Sequence, residues 1–501
     1  MVKIDPWHSR PFDVHVWSDH KEVMDLTEKV FKAFTPEEQA MIKGRSNNRG
    51  KTDLYKHLRH VLVDQYVSYK LDPRLCTGIA RGAKHWDVGS RYNALNLSRR
   101  IVDVIDLLIK HKLLDSVNHS YHRNTNGRNR TGRIRPSGNL ISLFRDLTIE
   151  LEDIEFHKDE EVIILNDKDD PTDAKSKPQP YEDTPVIIKM RKEVQDYNAM
   201  MAEHFVDVAS LDYPYLVRQI RNKRGLVDTQ RIWTTQDKKF TRRTFSRGSF
   251  TLNGRWNGGF WQQLSKELRK DIFIDGSPTI EADFSGLHPN LLALEFDGSF
   301  DGDPYTIDKQ LMDNQRQVMK GLLLKVINAK TIDSGIRAFQ TDEHGYKKQD
   351  LAELLDAYVE QYPFMREAIG SDKGISLMYT DSQIVAEVIK SFVAEDIAIL
   401  PIHDSFIVRE EDDEFLRQEM YNACTKVVGT TLNFDMEYDQ NFLNDGTIIN
   451  SPIKPNSPYD LRWKSWSDRH PRSYYPDLVD AYEEELNDQE IQRLVDNDMS
   501  Y

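Results

Sequence analysis

The chain has 501 residues, 39% hydrophobic and 30% charged, with a net charge of -15; that length suits two to four domains with a substantial core. No apolar run approaches the length that crosses a bilayer, and the opening MVKIDPWHSRPFDVHVW carries charges and prolines where a signal peptide needs an apolar stretch, so a cytoplasmic protein is expected. Two cysteines, Cys76 and Cys424, exclude a disulfide framework, and the acidic balance confines any nucleic-acid surface to a local basic patch.

Such a patch follows a predicted amphipathic helix in which Leu97, Ile101, Val104, Ile105 and Leu108 recur at helical spacing. The run from His119 to Gly138 holds five arginines and no acid. Helix, short strand, Arg/Gly-rich hairpin and a further apolar strand (LISLF) resemble a winged helix-turn-helix. That resemblance puts Arg99 and Arg100 near the start of a recognition helix, and Arg128, Arg130, Arg133 and Arg135 on a wing able to reach phosphates or a minor groove. A solvated basic loop is the plainer alternative.

After Phe144 the composition turns acidic and then rich in Pro, Lys and Asp, which predicts a linker over 151–184. The expected organisation is a helical, nucleic-acid-binding domain over 1–150, this linker, a catalytic region over 185–450 and a tail over 451–501. The tail opens on SPIKPNSPYD and ends in an acidic helix. Packing on the body is its commoner fate, with partner binding as the alternative.

The catalytic region carries the most telling residues. In PTIEADFSGLHPNLLAL, Ile280, Ala282 and Phe284 alternate with polar positions, so a strand delivers Asp283 to a turn before a helix. DNQRQVMKGLLLKVINAKT places Arg316 and Lys320 on one helix face, four residues apart. In AILPIHDSFIVREE, His403 and Asp404 lie between two apolar strands. Two carboxylates and a cationic helix suit two-metal phosphoryl transfer. Individually, Asp283 reads as a helix cap, His403-Asp404 as a turn, and Arg316 and Lys320 as a solvated face.

In this order the segments resemble motifs A, B and C of the family A DNA polymerases and the related single-subunit RNA polymerases, over about residues 240–445. The resemblance implies an α+β right-hand fold, with an antiparallel palm sheet and helical fingers behind a mostly helical N-terminal domain. It also implies two Mg2+ ions (Mn2+ as a substitute) on Asp283 and Asp404 with the Phe284 carbonyl, and His403 positioning a primer terminus. Arg316 and Lys320 would grip the triphosphate. His288 stands where the DNA polymerases carry glutamate beneath the sugar, and could discriminate ribose or simply pack beside Pro289. Asn328 stands where they carry tyrosine, and Ser405 follows Asp404 as in the RNA polymerases. WQQLSKELRKDIFI resembles the segment over the template-primer minor groove, with Gln262, Gln263 and Arg269 as its contacts, and Arg255 in GRWNGG would meet a phosphate. The implied partners are a DNA template and primer with dNTPs or NTPs. DNA-templated DNA synthesis ranks first, RNA synthesis second, and a DNA-binding initiator with an inactive palm third.

Overall fold

The computed structural model describes residues 8–43, 54–86, 90–117, 132–168, 176–221, 227–343, 345–437 and 453–467. They form an α+β protein of two compact units. The described residues up to 161, those at 209–238 and those from 453 onward make the first, and 162–208 with 239–437 the second. No helix among the described residues is long and apolar enough to cross a membrane.

In the first unit a four-stranded sheet runs in the order Ser9–Pro11, Cys76–Ile79, Gly132–Pro136, Leu114–Val117. Its central helix, Leu54–Leu71, buries residues on every face, the pattern of an element enclosed by its neighbours. Val61, Leu62 and Tyr66 share one core with Val104 and Leu108 of the helix Ile101–Lys110. After the helix, the short strand Leu114–Val117 pairs antiparallel with Gly132–Pro136. LISLF, however, is helical within Gly138–Phe144: Ser137 caps it by accepting from the Leu140 amide, and Leu140, Ile141 and Phe144 turn to the core. Arg133 and Arg135 belong to a sheet strand rather than a loop, and Arg135 is buried 3.4 Å from Asp115.

Two expected boundaries also move. Within 151–184, the apolar island supplies the strand Ile163–Leu165, which pairs in parallel with Arg242–Ser246, and the Tyr181 hydroxyl donates to the Ile163 carbonyl at 2.8 Å. Ile163–Leu165, inside the expected linker, is therefore sheet. Residues 209–238 join the first unit because Trp233 enters its core. The helix Pro458–Ser467 packs there too, with Tyr459 buried and Arg462 donating to the Leu211 carbonyl at 3.0 Å.

The second unit is built on a six-stranded antiparallel sheet: β1 (Val206–Val208), β2 (Ile272–Ile274), β3 (Ser277–Phe284), β4 (Leu400–Ile402), β5 (Ser405–Arg409) and β6 (Phe434–Glu437). Its order is β4-β5-β3-β2-β1, and β6 pairs with the later part of β3. The β2–β3 hairpin turns on Asp275-Gly276, both at positive φ, as a two-residue hairpin of the primed type requires. The site is completed by three helices: α1 (Leu287–Glu295), α2 (Gln315–Ile327) and α3 (Gly374–Ala394).

Candidate active site

β3 buries Ile280, Ala282 and Phe284 on one face and turns Glu281 and Asp283 to the other. The Phe284 ring packs edge-on against Phe434, 6.0 Å between centroids, so only its backbone remains for a ligand. Asp283 sits opposite Ser405 in the β3–β5 ladder. Asp404 immediately precedes Ser405, in the two-residue turn that joins β4 to β5, and the Phe284 amide donates to the Asp404 carbonyl at 3.4 Å. Residues more than a hundred positions apart in sequence thus become cross-strand neighbours.

The electrostatics follow from that adjacency. Desolvation raises the Asp283 carboxyl first, repulsion by Asp404 and Glu281 adds to it, and Lys320 and Lys266 oppose, leaving it pushed up to about 7. Solvent still reaches one side of Asp283, and the like charge of Asp404 and Glu281 adds to the effect of burial. Glu281 is itself occupied: Arg269 grips it through two hydrogen bonds of 2.9 and 2.8 Å, and the Ser405 hydroxyl donates to it at 3.0 Å. Asp435, opposite Asp283 on β6, accepts from the Ser285 hydroxyl at 2.7 Å.

His403 leads the β4–β5 turn at φ 56°, a left-handed conformation that a histidine adopts at some cost. Burial and then Arg255 lower its pKa against the pull of Asp404 and Asp381, so the imidazole is neutral at pH 7.

On α2, Arg316 pairs with Asp303, whereas the exposed Lys320 forms no ion pair among the described residues. Both flank Tyr305, with Arg316 Cζ 5.9 Å and Lys320 Nζ 5.7 Å from its ring centre. Burial, then Asp404, Asp303 and Asp283, push the Tyr305 phenol up to about 12. Tyr305 therefore senses both the acids and the cationic helix, a placement its sequence context did not assign to it.

Sequence reasoning also missed Asp381 on α3. Its carboxylate is fully buried, receives Arg255 at 2.5 Å from Nη2 and 3.2 Å from Nε, and receives His288 Nε2 at 2.9 Å. The geometry depends on Gly254, the residue before Arg255. Gly254 lies at φ +80°, and a Cβ there would come within 2.7 Å of the Ser382 hydroxyl. Only glycine lets the strand Ser249–Asn257 approach α3 this closely.

Other expected contacts have protein partners. Gln262 donates to the Trp256 and Pro401 carbonyls, each at 2.9 Å, tying two segments together. Gln263 is exposed. Asn328 ends α2, donating to the Leu324 carbonyl at 2.8 Å. In the first unit Arg99 and Arg100 lie at the start of the helix Ile101–Lys110 but both reach Asp103, at 3.3 and 3.4 Å. Arg133 donates to the Ser9 hydroxyl at 3.2 Å. Arg128 and Arg130 fall outside the described residues.

Among the described residues no group of three or more His, Cys, Asp or Glu side chains converges as a cation cage. Magnesium does not require one: it is commonly held by one or two carboxylates, with water and substrate phosphates completing its shell. Asp283 and Asp404, whose mutual repulsion is only partly offset by lysine, fit such a cation.

No protein-family model matches the chain, and no curated protein matches it. Among solved structures it is similar to the POL domain of Pol1 from M. smegmatis, determined in complex with DNA primer-template and dNTP. The identity is 9% and the TM-score 0.25, over 50% of this chain and 51% of that one. The chain thus spans about half the length of the structure it matches.

Proposed function

We propose that the second unit is the catalytic body of a template-directed nucleic-acid polymerase, in first place a DNA-directed DNA polymerase. The observation that carries this reading is the Asp283–Asp404 pair: two carboxylates made adjacent by the β3–β5 register, with burial and then like-charge repulsion raising one of them and lysine only partly relieving it. Structural carboxylates normally find a partner. This pair is left in need of positive charge, as a magnesium–nucleotide site must be.

In this reading Asp283 and Asp404 hold the cations, with the Phe284 carbonyl as a further oxygen. Bound magnesium would lower the pKa of the primer 3′-hydroxyl and neutralise charge on the departing pyrophosphate. Lys320, exposed and without an ion pair among the described residues, takes the triphosphate, and Arg316 joins it by exchanging Asp303 for phosphate. Neutral His403 orients the primer terminus by hydrogen bonding, without adding charge beside the metals. In the second unit nucleic acid is proposed to enter over Gln263 and Arg269; in the first unit Arg99, Arg100, Arg128, Arg130 and Arg133 are proposed as a nucleic-acid-binding set in their own right.

RNA synthesis is the second reading, favoured by Ser405 after the catalytic aspartate and by His288 in place of glutamate. Incubation with magnesium, a primed template, and dNTPs or NTPs separates the cases. Primer extension with dNTPs supports the first reading, and unprimed synthesis with NTPs supports the second. No product in either arm, with nucleic-acid binding retained, would leave a binding protein with an inert site.

A further inference from the structure

The helix Pro185–Ala202 of the second unit is apolar on more than the face it buries. Ile187, Met190, Val194 and Tyr197 enter the core, while Ile188 stays 53% exposed. Together with α3 this outer stripe bounds a groove of about 660 Å³ with a mostly apolar lining, in which Ile188 is joined by Ile389, Val393 and Trp256. The lining recurs every three or four positions from Pro185 to Asp196 and from Ala386 to Val393, so the groove follows both helices. At ~1.5 Å per residue its longer wall runs for about 16 Å. An open apolar surface with a charged rim is the signature of an interaction site.

Two donors in the lining are unmatched. Trp256 is buried, yet its indole Nε1 has no hydrogen-bond partner among the described residues, and a buried N–H without an acceptor is costly. On the rim Lys189 lies 4.0 Å from Glu193 and Lys192 pairs with Asp196, whereas the exposed Lys390 forms no ion pair among the described residues. The groove thus lacks an acceptor and a negative charge, on a body otherwise apolar. We propose that it receives an acidic amphipathic helix of a partner protein. The helix lays an apolar stripe along Ile188, Ile389 and Val393, sets a carboxylate against Lys390, and offers Trp256 an acceptor. Recognition of a helix in a groove divides its contacts in this way, and a wall of about 16 Å matches three helical turns. None of the lining residues has a part in the nucleotide chemistry above, so the inference does not depend on the polymerase reading.

The test titrates the full chain with two fluorescein-labelled, capped peptides of about 16 residues, both with leucines at helical i, i+3, i+4 spacing. One carries glutamate at its polar positions and the other lysine. Fluorescence anisotropy should show saturable binding of the glutamate peptide with a Kd of about 10–100 μM, and the lysine peptide should bind at least about tenfold more weakly. Ile188→Glu and Lys390→Glu should each weaken the glutamate peptide about tenfold, and Trp256→Phe, which keeps a ring but removes the donor, about fivefold. No saturation up to about 1 mM, equal binding of the two peptides, or full binding by any folded variant of the three overturns the proposal. If Trp256→Phe fails to fold, the two exposed positions decide. Binding of laurate, or self-association of the chain, that Ile188→Glu abolishes while no peptide binds would also overturn it, giving the groove to a small amphiphile or to a second copy.

Discussion

Asp13 in the first unit and Asp283 in the second are both aspartates crowded by protein, and they are driven in opposite directions. Burial alone would raise Asp13, but Lys238, at 2.6 Å, and His15 pull it far below the ordinary carboxylate range. Burial raises Asp283 too, and there Asp404 and Glu281 push the same way. Around Asp13 the fold has closed its own circuit: Lys238 also pairs with Asp237 at 2.7 Å, and the His15 amide bonds Asp13 at 3.0 Å. The cations that act on Asp283 are Lys320, which forms no ion pair among the described residues, and Lys266, already engaged by Glu437. A carboxylate satisfied from within serves stability, whereas one set against its own kind is prepared for something that arrives from outside.

The sharpest way to break this contrast is to neutralise each side in turn. Asp283→Asn or Asp404→Asn should cost about a thousandfold or more in nucleotide incorporation, equivalent to the several kcal/mol that metal-centred charge stabilisation supplies, with the unfolding midpoint not lowered. Incorporation retained under magnesium by either variant removes that residue from the site. Asp13→Ala should do the reverse: a loss of about 3 kcal/mol in denaturant unfolding, at the low end for a broken buried pair because Lys238 keeps Asp237. An unchanged midpoint would show that the pair is not structural. Lys320→Ala should lower incorporation efficiency about thirtyfold, near 2 kcal/mol, through nucleotide KM and with DNA binding intact.

A smaller effect lies in pH. The Asp283 carboxyl is raised from 3.8 to about 7, so between those values the folded chain binds a proton that the unfolded chain has released. Stability from this group is therefore greatest below pH 4 and declines as pH rises to 7, opposite to the contribution of Asp13, which fades as pH falls below 4. With solvent reaching Asp283, the effect is discounted to about 1 kcal/mol. Thermal melts at pH 5.5 and 8 should show magnesium stabilising the protein mainly at pH 8, and Asp283→Asn should lose both the pH dependence and the magnesium response. A magnesium response that survives in Asp283→Asn would place the cation elsewhere.

Local pattern made much of the second unit legible. The alternation ending at Asp283 announces a strand, the Arg316–Lys320 stretch a helix, and the apolar runs around Asp404 a hairpin. What stayed hidden depends on partners distant in sequence. MYTDSQ reads as the polar face of a helix, and nothing nearby says that Asp381 will be fully enclosed by Arg255 and His288. The acidic and Pro-rich composition of 151–184 hid the strand Ile163–Leu165, which forms because Arg242–Ser246 offers it an edge. LISLF suits a strand or a helix equally, and Ser137 decided between them by capping. Arg255 and Gln262 looked available for nucleic acid because sequence shows a side chain's reach but not what it already holds.

The turn at His403 shows what such a site asks of its scaffold. A glycine there would take φ 56° without steric penalty, and His403→Gly should relieve some of the ~1–3 kcal/mol that such a backbone costs. The exchange would also remove an imidazole whose charge state Arg255, Asp404 and Asp381 all influence. Selection for durability alone would favour the smaller residue. A bulky one kept in an uncomfortable bend is a cost that the proposed activity would account for.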